Sequence, residues 1–168
     1  AAANTDIQYQ DDEYWIQRMS TDTTAFEVIY DRYVDRVSRY ISRKVGNPSE
    51  TEELTSIVFV SVLEAIMGGK YSVQNKFAAW LFTIARTKIT NYYRERKTLP
   101  LEAVADTPTH WIAGQEDFEN GELGKRFSQL TNFEQDLLAL RFSADLDFKT
   151  IAVILRKNAA AVKMATYR

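Results

Sequence analysis

The stretch KFAAWLFTIARTKITNYYRERK, residues 76–97, constrains this chain more than any other. Placed on a helix at about 100° per residue, Phe77, Trp80, Leu81, Ile84, Ala85, Ile89 and Tyr92 share one broad arc. Lys76, Thr83, Arg86, Thr87, Thr90, Arg94 and Lys97 share the other. Such a helix would run about 33 Å. One face suits a core, and the other offers cations and hydroxyls to a phosphate backbone. Glu95 is the only acid in it. A solvated helix face ordinarily carries both signs of charge, so the one-sidedness points to a polyanion.

The net charge of the whole chain is −2, which alone would argue against nucleic acid. The distribution argues the other way, because charge is segregated along the chain. Residues 1–22 are acidic through Asp6, Asp11, Asp12, Glu13 and Asp22. Residues 101–123 hold Glu102, Asp106, Glu116, Asp117, Glu119 and Glu122 without a Lys or Arg. Residues 141–168 are basic again. Two basic modules flank an acidic connector.

Helical periodicity and caps divide the chain into an all-α architecture of two small helical domains. Asp11-Asp12-Glu13 opens a short helix through Met19, because acids favour a helix N-terminus. From Ala25 an amphipathic helix carries Phe26, Ile29, Tyr30, Tyr33, Val34, Val37, Tyr40 and Ile41 at helical spacing, and Gly46-Asn47-Pro48 ends it. Ser49 with Glu52 reads as a capping box opening a helix over 50–67. With the basic helix these form an N-terminal bundle over residues 11–97. Residues 98–121 read as a linker containing Pro100 and Pro108. Residues 122–168 then read as four short helices over 122–130, 132–142, 148–155 and 159–168. Asp147 and Asn158 cap the last two, and the short break at 156–158 has helix-turn-helix spacing. The sequence stops inside that last helix, which places the native C-terminus beyond Arg168.

Other chemistries find no residues to carry them. Cysteine is absent, which removes disulfides, thiolate metal sites and Cys nucleophiles and fits the cytoplasm. The only histidine, His110, sits in the linker with no second ligand near it. No phosphate loop, nucleophile–base pair or metal cluster is present, so the chain reads as a non-enzyme without cofactor or metal. The longest apolar cluster, residues 57–67, is interrupted by Ser61 and Glu64 and is too short to cross a bilayer.

The order of these motifs resembles the extracytoplasmic-function (ECF) sigma factors, the two-domain promoter-recognition subunits of bacterial RNA polymerase. The matching stretches are AFEVIYDRYVDRVSRYI (25–41), EELTSIVF (52–59), residues 76–97, and LTNFEQDLLALRFSADLDFKTIAVIL with AAVKMATYR (130–168). The resemblance implies that the N-terminal bundle grips core RNA polymerase and captures the promoter −10 element, while the helix-turn-helix reads the −35 element. Carried onto this sequence, polymerase contact falls to Glu52, Glu53, Leu54, Ile57 and Val58. Capture of −10 DNA falls to Tyr71, Ser72, Gln74, Asn75, Lys76, Trp80, Arg86, Thr90, Arg94 and Lys97. Tyr71, Ser72, Gln74 and Asn75 have the donors and aromatic wall that a flipped base needs. Readout of −35 DNA falls to Lys149, Arg156, Lys157, Ala159, Ala161, Lys163 and Arg168. The resemblance further implies an anti-sigma factor covering the polymerase-binding face.

Three departures from the family stand out. Ser56 and Ile57 replace a usual Gln and acid, and Arg156-Lys157 replaces a usual Gly and apolar residue. Ala165 stands where an Arg often contacts DNA. Two other readings remain open on the residues alone: a two-domain regulator of duplex DNA independent of polymerase, and a sigma-like module that binds only protein.

Overall fold

The computed structural model describes residues 10–72, 76–97, 126 and 129–167. Those residues form seven α-helices and no strand. They are α1 (Asp12–Ile16), α2 (Thr23–Val45), α3 (Pro48–Met67), α4 (Phe77–Lys97), α5 (Asn132–Leu138), α6 (Phe148–Leu155) and α7 (Ala159–Tyr167). The linker with His110 lies outside the described residues, as does most of the helix expected over 122–130.

Local chemistry explains the boundaries. Asp11 caps α1 by accepting from the Tyr14 amide at 2.9 Å, but α1 stops at Ile16 and residues 17–21 turn rather than continuing the helix to Met19. Asp22 caps α2, which starts at Thr23, two residues ahead of Ala25. Gly46 closes it in the left-handed conformation at φ 76°, where a Cβ is penalised.

The start of α3 corrects the expected capping box. Asn47, not Ser49, is the cap and accepts from the Glu50 amide at 3.1 Å. Pro48 occupies the first helical position, where its fixed φ fits and its missing N–H costs nothing. A capping box does occur elsewhere: Thr131 and Glu134 bond reciprocally at the start of α5. The helix expected to run through Phe142 is α-helical only to Leu138 and continues as a π-helical turn over Ala139–Ser143.

One hydrophobic core runs through both halves of the chain. Ile29, Val37, Tyr40 and Ile41 of α2 meet Val58 and Val62 of α3 and Leu81, Phe82 and Ala85 of α4. Leu137, Leu140, Leu146, Ile151 and Val162 extend that core into the C-terminal unit. The described part of the C-terminal unit therefore packs against α2 and α4. No helix among the described residues is long and apolar enough to cross a membrane.

Candidate nucleic-acid and partner interfaces

The start of α4 gathers an aromatic cluster. The Tyr71 ring lies 4.7 Å from Trp80 and 5.9 Å from Phe77, centroid to centroid. Phe77 is buried, while Tyr71 and Trp80 remain half-buried and present π-surface at the edge of the bundle. The Tyr71 hydroxyl donates to Glu13 of α1, and burial together with that bond pushes its pKa above the usual range. Ser72 and Lys76 flank the cluster and are exposed. Gln74 and Asn75 lie outside the described residues.

Along the outer face of α4 the hydroxyls serve the helix itself. Thr83 donates to Ala79 O at 2.7 Å, Thr87 to Thr83 O at 2.9 Å and Thr90 to Arg86 O at 3.0 Å. Their protons are engaged, so contact with a phosphate rests on the cations. Arg94 is half-buried, and the side chain of Lys97 lies outside the described residues. Arg96 pairs with Glu50 and stacks over the Tyr92 ring at 4.6 Å, and Tyr92 also donates to Glu50. That network ties α4 to α3.

Arg86 is engaged as well, in a contact that periodicity did not predict. Its Nε donates to Asp136 of α5 at 2.9 Å. The other oxygen of Asp136 pairs with Lys44, whose side chain is 1% exposed. Burial alone would raise the Asp136 carboxyl, but Lys44 and Arg86 beside it hold it below the usual carboxylate range. Burial lowers Lys44 despite its partner. Nearby, Arg36 donates to the carbonyls of Ala144 at 2.7 Å and Asp145 at 3.0 Å, and Arg39 donates to Ser143 O at 3.0 Å.

On α3 the structure separates the residues expected to face polymerase. Glu52, Glu53 and Ile57 are exposed, whereas Leu54 and Val58 are buried at 6% and 0%. The last two hold the bundle together and present no surface to a partner. Val60, 54% exposed, and Met67 extend the outward stripe from Ile57. Tyr30 of α2 is also exposed, its ring 4.8 Å from the buried Phe59 of α3.

In the C-terminal unit Val162 is fully buried and anchors α7 against the core. Asn158 caps α7 by accepting from the Ala161 amide at 2.7 Å, as its sequence position suggests. Arg156 makes the turn from α6 in the left-handed conformation, φ 53° and ψ 45°. Arg156, Lys157, Ala161 and Lys163 are exposed, while Ala159 is half-buried. Lys149 instead borders a cleft of about 550 Å³ with Asp11, Asp12 and Lys76. Sequence reasoning missed Met164 and Tyr167, each about three-quarters exposed on α7. Arg168 lies outside the described residues.

Residues 29–98 match the family model described as Sigma-70 region 2, a stretch that takes in most of α2 and all of α3 and α4. The bundle is a sigma-70 region 2 domain. Over 154 residues the chain is 31% identical to the ECF RNA polymerase sigma factor BldN of Streptomyces coelicolor, covering 86% of this chain and 57% of that one. It is 31% identical over 94 residues to RNA polymerase sigma factor CarQ of Myxococcus xanthus, covering 55% and 53% respectively. The chain therefore spans little more than half the length of these curated relatives. A solved structure of CnrH in complex with the cytosolic domain of CnrY aligns with a TM-score of 0.60 at 18% identity, covering 94% of this chain and 90% of that one. At that identity the likeness speaks to the fold alone. Over most of its own length the chain is similar to ECF sigma factors.

Proposed function

We propose that the chain directs bacterial RNA polymerase to promoters as a non-enzymatic cytoplasmic subunit. Residues 11–97 bind the core enzyme and −10 DNA, residues 98–121 link, and residues 122–168 bind −35 DNA. The observation that carries this reading is the coincidence of a region 2 match with a bundle presenting two different faces. One face is the outward stripe of α3, where Glu53, Ile57 and Val60 recur at helical spacing beside Glu52. An exposed apolar stripe bordered by acids suits a protein partner with basic and apolar groups. The other is the Tyr71–Trp80 edge with the cations of α4, which suits stacked bases and their phosphates.

The C-terminal helix-turn-helix supports duplex binding through Arg156, Lys157 and Lys163, while Ala160, Ala161 and Met164 put methyl groups on the exposed face of α7 beside Tyr167. Alanine and methionine can contact thymine methyls but donate no hydrogen bond. The α3 stripe is also the surface an anti-sigma factor would cover to block polymerase. Reconstitution with core RNA polymerase tests the reading: initiation at defined promoters should appear only when the chain is added.

A further inference from the structure

Around the shared hydrophobic core, the polar contacts between the two halves of the chain set cations on one side against acceptors on the other. The N-terminal bundle contributes Arg36, Arg39 and Lys44 from α2 and Arg86 from α4. The C-terminal unit answers with the Asp136 carboxylate and the carbonyls of Ser143, Ala144 and Asp145. Those carbonyls lie in and just after the last turn of a helix, where oxygens lack intrahelical partners and carry the negative end of the dipole. A phosphodiester is likewise anionic and accepts without donating. Arg36 to Lys44 spans about 12 Å of α2, long enough for more than one phosphate.

We propose that Arg36, Arg39, Lys44 and Arg86 form a phosphate-binding surface for single-stranded nucleic acid that the chain's own C-terminal unit covers in this structure. Closure and occupation of that surface exclude one another, because Asp136 holds the Arg86 Nε and the Lys44 ammonium that a phosphate would take. The inference rests on the nucleic-acid reading of α4 and adds three residues of α2 to it. It also makes the free chain self-masking: a ligand must displace the C-terminal unit, and its apparent affinity falls by the fraction of open molecules.

The test uses the full chain, a fluorescein-labelled oligodeoxythymidylate followed by anisotropy, and small-angle scattering of the same samples. Asp136→Asn should enlarge the radius of gyration and tighten binding about tenfold. Adding Arg36→Ala and Arg39→Ala to that variant should remove most of the gain. Should Asp136→Asn fail to fold, the unmodified chain gives the same answer, since saturating oligonucleotide should enlarge it. Opening without tighter binding overturns the proposal, and so does a gain that Arg36→Ala/Arg39→Ala leaves intact. Arg94→Ala, about 12 Å further along α4, separates this failure from that of the underlying reading. If Arg94→Ala weakens binding while Asp136→Asn changes nothing, only the masked surface is wrong. If no variant binds the oligonucleotide at low salt, the nucleic-acid reading of α4 falls and the surface loses its ligand with it.

Discussion

Arg86 and Asp136, fifty positions apart in the sequence, meet through a 2.9 Å hydrogen bond that joins the two halves of the chain into one packed body. The same carboxylate neutralises Lys44, and Tyr40 donates to it at 3.4 Å. Asp136 thus faces two cations at a buried junction. Breaking one member of a buried ionic cluster costs about 3–5 kcal/mol, whereas replacing the whole cluster with apolar groups is often neutral. Asp136→Ala should therefore destabilise the chain by about 3 kcal/mol in urea denaturation, discounted toward the lower bound because Arg86 is about half exposed. Adding Lys44→Met to Asp136→Leu should recover most of that loss.

The same junction sets a response to acid. Asp136 ionises below the ordinary carboxylate value of 3.8, with Lys44, Arg86 and Tyr40 as the groups around it. A depressed folded-state pKa contributes stability fully above the unfolded value and loses it as pH falls through the folded value. Closure should hold from neutral pH down to about pH 4 and weaken below it. Scattering against pH checks this: expansion beginning well above pH 4 would contradict it.

The turn between α6 and α7 carries a backbone penalty that one substitution should relieve. Arg156 sits at φ 53°, a conformation that costs a residue with a Cβ about 1–2 kcal/mol relative to glycine. Arg156→Gly should raise thermal stability by about 1 kcal/mol, measured by calorimetry. It should weaken duplex binding at the same time by removing a cation. An unchanged or lowered melting temperature would show that the arginine side chain stabilises the turn by contacts that outweigh the strain.

At the other end of the bundle, stacking and charge should separate experimentally. Trp80→Ala should lower affinity for single-stranded DNA by about 1–3 kcal/mol, with little change in the dependence on salt. Arg94→Ala should flatten the salt dependence by about 0.7 in log–log slope. Two equal slopes would show that Arg94 touches no phosphate.

Much of this architecture was legible in the sequence because helical period and capping chemistry are local. The inward positions Phe77, Leu81, Ala85 and Ile89 of α4, the Gly46 stop and the Asp147 and Asn158 caps all follow from local spacing, whereas the fully buried Phe82 lay outside the expected arc. Pro48 shifted the α3 cap to Asn47 because proline competes for the first helical position. The apolar pattern of α3 did not reveal that Leu54 and Val58 point inward while Ile57 and Val60 point outward, since apolar residues occupy both faces. The Lys44–Asp136–Arg86 cluster was illegible for a different reason. It joins residues from three helices, and no periodicity links their positions.

The central claim, that α3 docks this chain on RNA polymerase to direct initiation, is tested most directly by transcription with purified core enzyme on linear genomic DNA. The chain should produce discrete start sites absent from core enzyme alone. Glu52→Lys/Glu53→Lys should abolish both those starts and co-elution with the core enzyme, while leaving the circular dichroism of the chain unchanged. A chain that yields no start sites, or a double variant that still co-elutes and initiates normally, would contradict it.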